Sequence, residues 1–271
     1  MLYERWQRIA RDRRFARALT DLATGRAWTF AELAAIAETS LETTERLACP
    51  SGITPEFIVA VLRGWRTGAV VCPLEPGQLP PSVPERLPRS IVHLKMTSAS
   101  TGESKLVAFT AAQLAADVEN IVQTMGLRSG WPNLGVISLG HSYGFSNLVL
   151  PLLLHGIPLV LVGSALPESL RSLTGGADAF TLPAVPALWR AWHAAGTIGP
   201  GIKLGISAGA PLPLVLEQEV HAAAGLKIHN FYGSSECGGI AYDSSEQPRT
   251  DASAVGAPMR NVEVAVGFDG C

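Results

Sequence analysis

Apolar residues along this chain form two kinds of pattern that alternate with each other. Short runs without a regular polar position indicate strands buried on both faces, and the stretches between them place apolar residues at helical spacing. The clearest helix is Ala111–Met125, where Leu114 and Val118 share one face. The pattern predicts an α/β fold with mainly parallel sheets covered by helices on both faces. Further strands are expected near residues 134–138, 158–162, 179–181, 203–207 and 227–232.

The N-terminal part of the chain predicts helices separated by single strands. Residues 2–19 are typical of an amphipathic helix, and Thr29 or its neighbour can cap a second helix over residues 31–37. A third predicted helix covers residues 57–67 and precedes a buried strand over residues 69–74. These elements add a helical layer and one more strand to the predicted fold.

Length and composition are typical of a globular chain with one large domain or two small ones. The chain has 271 residues, of which 47% are hydrophobic and 16% are charged. We predict a single domain over residues 1–271, with subdomains of about 1–110 and 111–250.

Charge and cysteine usage exclude several classes of partner. With 21 basic and 23 acidic residues, the net charge of −2 gives no electrostatic case for nucleic-acid binding. The four cysteines form no C-x-x-C pair and no metal spacing, which is typical of reduced thiols in a cytoplasmic protein. Residues 145–166 are apolar enough to resemble a membrane span, but they include Asn147, Pro151 and Gly156. We predict a buried helix and a buried strand there, and no membrane span.

A polar run separates two predicted strands, Ile91–Met96 and Leu106–Thr110. Hydroxyl side chains and free backbone N–H groups suit an anion with many acceptor oxygens, above all a polyphosphate, and Lys105 adds a positive charge. The alternative is a solvated Ser/Thr hairpin loop. The run lacks the Walker pattern G-x-x-x-x-G-K-[ST]. Its candidate ligands are Thr97, Ser98, Ser100, Thr101, Gly102 and Lys105.

Two more loops follow predicted strands, where α/β sheets bind ligands. In the first, Tyr232, Ser235 and Glu236 could stack on a planar ring, hydrogen-bond a phosphate and hold a divalent metal. The alternative is a glycine-rich turn with an exposed acid. The second loop contains His141, and a histidine at such a place is more often structural than catalytic.

Ser207 raises a rival hypothesis, because residues 205–209 match the G-x-S-x-G nucleophile elbow of serine hydrolases. That family orders its triad as serine, acid, histidine. After Ser207, the histidines His221 and His229 both precede Asp243. We keep a hydrolase using Ser207 as a remote alternative.

Together, and in this order, the segments resemble those of the adenylate-forming superfamily: acyl-CoA synthetases, adenylation domains and luciferases. Residues 97–105 resemble the phosphate loop T-S-G-[ST]-T-G-x-P-K of that family. The other matches are residues 68–76 to G-A-x-x-x-P-L-x-P, 207–212 to G-G-A-P-L, 232–236 to Y-G-x-[ST]-E and 254–258 to S-V-G-x-P.

The resemblance implies an ATP- and Mg²⁺-dependent ligase that converts a carboxylic acid, acyl or aryl, to an acyl-adenylate and passes it to a thiol such as CoA or a carrier protein. It implies catalytic roles for Lys105, His141 and Glu236, with Glu236 as the magnesium ligand. The implied nucleotide-binding residues are Thr97, Ser98, Ser100, Thr101, Gly102, Lys105, Gly209, Ala210, Tyr232, Gly233 and Ser235.

The chain departs from the family pattern at three places. Ala99 replaces a loop glycine, Ser104 replaces the loop proline, and the sequence stops at Cys271, before the family's T-G-D segment and C-terminal domain. We therefore expect a shortened large N-terminal domain, incomplete at its C-terminus, that adenylates poorly by itself. The alternative is a non-catalytic module of the same fold that binds a nucleotide and an acid.

Overall fold

The computed structural model of the protein describes residues 2–39, 46–83, 87–97 and 105–265. The strands are β1 (Arg17–Asp21), β2 (Arg26–Thr29), β3 (Leu47–Ala48), β4 (Val70–Val71), β5 (Ile91–Met96), β6 (Leu106–Thr110), β7 (Asn133–Gly135), β8 (Leu159–Leu161), β9 (Phe180–Ala184), β10 (Ile202–Ser207), β11 (Ile228–Ser234), β12 (Gly238–Tyr242) and β13 (Ala257–Pro258). The helices are α1 (Leu2–Asp12), α2 (Phe30–Glu38), α3 (Pro55–Thr67), α4 (Ala111–Met125), α5 (Ser142–Gly144), α6 (Leu150–His155), α7 (Pro167–Thr174), α8 (Pro186–Ala194) and α9 (Leu214–Ala224). A π-helical segment, Phe145–Val149, joins α5 to α6.

The larger sheet of the described chain has nine strands in the order β13-β12-β11-β10-β9-β7-β8-β1-β2. The pairings from β11 to β1 are all parallel, whereas β2, β12 and β13 add antiparallel pairs at the two edges. This arrangement confirms the mainly parallel α/β fold that the apolar strands predict.

The smaller sheet has the order β3-β4-β5-β6, with parallel pairs except between β5 and β6. The strands β5 and β6 form a hairpin with the bounds that the sequence predicts. In the larger sheet β1 pairs with β8, so that sheet draws on strands from both halves of the chain. The division into subdomains of about 1–110 and 111–250 stays a prediction.

Capping residues explain where two helices begin. Thr29 forms a capping box with Glu32 at the start of α2, and Thr110 does the same with Gln113 at the start of α4. In each pair the two residues satisfy each other's otherwise unpaired backbone N–H groups, which stabilises a helix by about 1 kcal/mol. The capping of α2 and the bounds of α4 confirm the sequence predictions.

The predicted helix over residues 2–19 is wrong in its second half. α1 ends at Asp12, and Arg17–Asp21 forms strand β1 between β2 and β8. Leu19 is completely buried in this strand. Pairing with two neighbours and burial of apolar side chains outweigh the local helical preference of this stretch.

The apolar stretch near residues 145–166 forms a helix and a strand, as predicted. It contains the π-helical segment, α6 and the buried strand β8. Among the described residues, no helix combines the length and apolar content needed to cross a membrane.

Candidate functional site

The candidate site lies at the carboxyl edge of the larger sheet, where the strand order changes direction. The chain leaves β7 toward β8 on one side, whereas it leaves the adjacent β9 toward β10 on the other. Outgoing connections that diverge in this way leave a crevice between two strand ends, and α/β proteins bind ligands in that crevice. The loops after β7, β10 and β11 all contain residues that the sequence singles out.

After β7, His141 begins a helix and keeps its side chain at the surface. Its Nδ1 accepts a hydrogen bond of 3.2 Å from the backbone N–H of Tyr143, so the other ring nitrogen remains to meet a ligand. The next helical turn is π-helical, a distortion that is frequent at functional sites.

Tyr143 fixes the start of this helix against the neighbouring strands. Its side chain is buried, and its hydroxyl lies 3.3 Å from the carbonyl oxygen of Ile206 in β10 and 3.5 Å from that of Ala184 in β9. Burial raises the pKa of Tyr143 well above its ordinary value, so the hydroxyl keeps its proton for donation. The His141 loop is thereby held beside the ends of β9 and β10.

Gly140 brings the segment after β4 to the same place. A Cβ atom on Gly140 would lie 2.1 Å from the carbonyl oxygen of Leu74 and 2.9 Å from the backbone nitrogen of Glu75. Only glycine permits this approach between the two backbones. The contact joins the segment that resembles G-A-x-x-x-P-L-x-P to the His141 loop.

The loop after β10 turns at Gly209, whose φ of +83° is the left-handed conformation that favours glycine. Gly209 and Ala210 are both exposed. The backbone N–H of Ala208 donates to the carbonyl of Ala184 at 3.3 Å, which holds this loop beside the end of β9. Gly209 and Ala210 therefore expose their backbone at the edge of the crevice.

The turn between β11 and β12 contains the candidate metal ligand. The Tyr232 side chain is 50% exposed, which leaves a ring face available for stacking. Glu236 and Gly233 are also exposed. Ser235 accepts a hydrogen bond of 2.9 Å from the hydroxyl of Ser142, so this turn directly contacts the His141 loop.

The structure describes the two end residues of the predicted phosphate loop, Thr97 and Lys105. The backbone N–H of Thr97 donates to the carbonyl of Lys105 at 2.9 Å, and the N–H of Lys105 donates to the Thr97 hydroxyl at 3.0 Å. These bonds extend the β5–β6 hairpin and leave the Lys105 side chain exposed. Four other predicted ligands, Ser98, Ser100, Thr101 and Gly102, lie outside the described residues.

A model of the family described as AMP-binding enzyme matches residues 78–269. The chain belongs to the AMP-binding enzyme family. The matched segment covers the two ends of the phosphate loop and the three loops at the sheet edge.

Two CoA ligases are among the proteins that this chain resembles. The chain is 32% identical over 146 residues to a 4-coumarate–CoA ligase of Rhodobacter capsulatus, a match that covers 53% of this chain and 37% of that enzyme. It is 30% identical over 154 residues to the 2-hydroxy-7-methoxy-5-methyl-1-naphthoate–CoA ligase of Streptomyces carzinostaticus, covering 54% and 27%. The match thus spans about a third of the length of each relative.

Solved structures share the fold over nearly the whole chain. The N-terminal domain of FACL13 from Mycobacterium tuberculosis superposes with a TM-score of 0.82 at 18% identity, covering 100% of this chain and 85% of that one. ATP-bound MatB from Rhodopseudomonas palustris gives a TM-score of 0.79 at 17% identity, covering 96% and 65%. These likenesses confirm the fold of an adenylate-forming N-terminal domain.

Ser207 does not have the surroundings of a hydrolase nucleophile. The residue is completely buried at the end of β10, and its hydroxyl has no hydrogen-bond partner within the described part of the chain. A nucleophilic serine needs an exposed hydroxyl within reach of a base. Family membership and this burial argue against the hydrolase alternative.

Sequence analysis missed a buried ion network that anchors the loop after β10. The Glu217 carboxylate contacts Lys227 and accepts hydrogen bonds of 2.9 and 2.8 Å from the backbone N–H and Nε of Arg249. Arg249 also donates to the carbonyl of Leu212 at 2.8 Å, two residues beyond Ala210. Lys227 contacts Asp243 at 2.6 Å.

Hydrogen bonding keeps Asp243 charged in this network. Burial raises the pKa of its carboxyl, but hydrogen bonds from Lys227 and Ser245 outweigh that effect and bring the pKa below its ordinary value. Successive members of the network lie 10, 16 and 6 positions apart along the chain and share no local pattern. Asp243 and Arg249 lie in the polar stretch 243–251, so the sequence does not mark them as buried.

Proposed function

We propose that this chain binds ATP and a carboxylic acid and that it forms the N-terminal part of a ligase that activates the acid by adenylation. The observation that supports this most is the Ser142–Ser235 hydrogen bond at the sheet edge of an AMP-binding family member. That bond joins the loop with the proposed acid-side residue His141 to the turn with the proposed nucleotide-side residues.

The proposed roles follow from position and exposure. The exposed ring of Tyr232 stacks on adenine, and the open backbone at Gly209 and Ala210 lines the adenine site. Ser235 donates a hydrogen bond to the α-phosphate. Lys105 contacts the outer phosphates as a point charge.

Glu236 suits a magnesium ion held together with the nucleotide. Its carboxylate is exposed in a tight turn, and the described residues contain no group of three or more His, Cys, Asp or Glu that could hold a metal by themselves. Mg²⁺ usually binds through one or two carboxylates and substrate phosphates, keeping several waters. The donor set therefore fits Mg²⁺ bound to ATP, where the ion would neutralise phosphate charge.

In the proposed reaction, a carboxylate oxygen of the acid forms a bond to the α-phosphorus of ATP while the bond to the β-phosphate oxygen breaks and pyrophosphate leaves. The chain's own contribution is to orient the two reactants and to neutralise charge. His141 holds the attacking carboxylate through the ring nitrogen that does not bind the Tyr143 N–H. The matched CoA ligases act on 4-coumarate and a naphthoate, so we propose an aryl acid as substrate and CoA as thiol acceptor.

Equilibrium binding and isotope exchange test this function on the full chain. Mg·ATP binding is measured by calorimetry, and ATP–pyrophosphate exchange is measured with a panel of aryl, fatty and amino acids. We expect Mg·ATP to bind and slow exchange to appear with an aryl acid, and Glu236→Gln to reduce both. Binding without exchange for any acid would favour the non-catalytic module, and failure to bind any nucleotide would contradict both functions.

A further inference from the structure

One carboxylate outside the family-like segments contacts the elements that directly follow two of the loops at the sheet edge. Asp117 lies in α4, and its Oδ1 accepts a 3.0 Å hydrogen bond from the backbone N–H of Gly239, three residues beyond Glu236. Its Oδ2 accepts a 2.7 Å bond from the hydroxyl of Ser146, which lies in the π-helical segment four residues after Ser142. The two carboxylate oxygens thus bind β12 and the π-helical segment, which follow the Glu236 turn and the His141 loop.

The turn is shaped to receive this carboxylate. Gly238 has a φ of +78°, and a Cβ atom there would lie 2.3 Å from Oδ1 of Asp117. A side chain at Gly238 would therefore displace the carboxylate. The close fit indicates that the glycine and Asp117 act together to set the end of the Glu236 turn.

A third element joins the same contact from the smaller sheet. Lys95, in β5 and two residues before Thr97, places its Nζ 3.4 Å from the Ser146 hydroxyl and 4.7 Å from the centre of the Phe109 ring. Lys95 is only 5% exposed. Burial lowers its pKa, and the negative charge of Asp117 acts in the opposite direction. The carboxylate thus helps to keep a buried ammonium group charged beside the phosphate-loop hairpin.

We infer that Asp117 is a positioning residue that fixes the Glu236 turn relative to the His141 loop and the base of the phosphate-loop hairpin. The inference rests on the proposed function, because it gives these three loops one ligand in common. Asp117 acts through Gly239, Ser146 and Lys95. We therefore expect a change at Asp117 to affect Mg²⁺-dependent nucleotide binding, because that binding needs the loops in fixed relative positions.

The test compares three variants of the full chain in ATP binding with and without Mg²⁺ and in adenosine binding. Asp117→Ala removes both acceptors, and it should lower Mg·ATP affinity by about tenfold while leaving adenosine affinity within about twofold. Asp117→Asn keeps the acceptor for Gly239 and should restore most of the affinity. Asn120→Ala is the matched control, because Asn120 links the same helix to Asn261 instead.

Hydrogen exchange of the turn gives a readout that needs no nucleotide. We expect amides near residues 234–239 to exchange faster in Asp117→Ala than in the wild type, and to remain protected in Asp117→Asn and Asn120→Ala. Unchanged exchange there would overturn the positioning role, as would an equal loss of adenosine and Mg·ATP affinity. If the wild type binds no nucleotide, the proposed function fails, and the hydrogen-exchange result alone decides the role of Asp117.

Discussion

The hydroxyl of Ser142 donates a hydrogen bond of 2.9 Å to the hydroxyl of Ser235, although 93 positions separate the two residues. The contact exists because β7 and β11 run in the same direction in one sheet, so the loops that follow them lie at the same edge. It places the residue after His141 against the residue before Glu236. The acid side and the nucleotide side of the proposed site therefore share one hydrogen bond.

The two serines should differ in their effect on ATP binding. Ser235→Ala removes the proposed bond to the charged α-phosphate, which is worth about 1.5–3 kcal/mol, or roughly 10- to 100-fold in affinity. Ser142→Ala removes only the neutral bond between the hydroxyls and should cost about 1 kcal/mol or less. Calorimetric titration with Mg·ATP measures both. Equal effects would argue against a phosphate contact by Ser235.

Tyr232 should contribute to nucleotide binding through its ring rather than its hydroxyl. Because the side chain is half exposed, Tyr232→Ala removes a stacking surface with little loss of core packing. Stacking on a base is worth about 1–3 kcal/mol, so AMP affinity should fall roughly 5- to 100-fold. Tyr232→Phe keeps the ring and should bind AMP as the wild type does. An equal loss in both variants would contradict adenine stacking.

A methyl group at Gly140 should destabilise the fold. Its Cβ would lie 2.1 Å from the carbonyl oxygen of Leu74, so two backbones must move apart. Overpacking of this kind costs about 1–3 kcal/mol in the free energy of unfolding. Gly130→Ala is the control, since a Cβ there meets no atom within 4 Å. Urea unfolding measures the stability of both variants. Equal unfolding midpoints for Gly140→Ala and Gly130→Ala would show that the two backbones can move apart without loss of stability.

The buried ion network should matter more to stability than any surface charge on the same helix. Arg249→Met leaves the fully buried Glu217 carboxylate without one of its two cations, and breaking such a pair costs about 3–5 kcal/mol. Glu219→Gln, on the same helix with its side chain 55% exposed, should change the free energy of unfolding by less than about 0.5 kcal/mol. Similar urea midpoints for the two variants would contradict this role of the network.

The sequence predicted the bounds of those helices and strands at which several local signals coincide. The hairpin β5–β6 and α4 have the predicted bounds because apolar runs, a capping threonine and a C-terminal glycine all favour the same ends. Residues 17–19 were predicted as the end of a helix, because the strand that they form depends on pairing with β8, which lies far away in the sequence. Local patterns cannot encode such pairing.

The same distinction applies to the candidate site. Loops after apolar strands located His141, Tyr232 and Glu236 at the sheet edge, since the carboxyl ends of parallel strands meet there. Asp117 was not singled out because it is an ordinary polar position on an amphipathic helix. Its contacts with Gly239 and Ser146 arise only from tertiary packing. Residues that position a site through distant partners have no sequence signature of their own.

His93 should make the protein less stable in mild acid. The ring is completely buried, neither nitrogen has a hydrogen-bond partner in the described ranges, and the ring lies 4.4 Å from that of Phe145, centre to centre. Burial, aided by the charge of Lys95, lowers the pKa of His93 well below the ordinary value of 6.5. Below that pH the unfolded chain takes up a proton that the folded chain does not. Stability is therefore lost as the pH falls through 6.5.

His93→Leu removes this proton uptake, because it replaces the imidazole with an apolar side chain of similar size. Between about pH 7.5 and pH 5.5, the wild type should lose about 1.4 kcal/mol more unfolding free energy than the variant. At pH 7.5 the variant should be as stable as the wild type or more so, because neither replaced ring nitrogen has a hydrogen-bond partner among the residues that the structure describes. Urea unfolding at the two pH values measures the difference, since His155 and His229 contribute equally in both proteins. Parallel pH dependences would mean that His93 is protonated or hydrogen-bonded in the folded state.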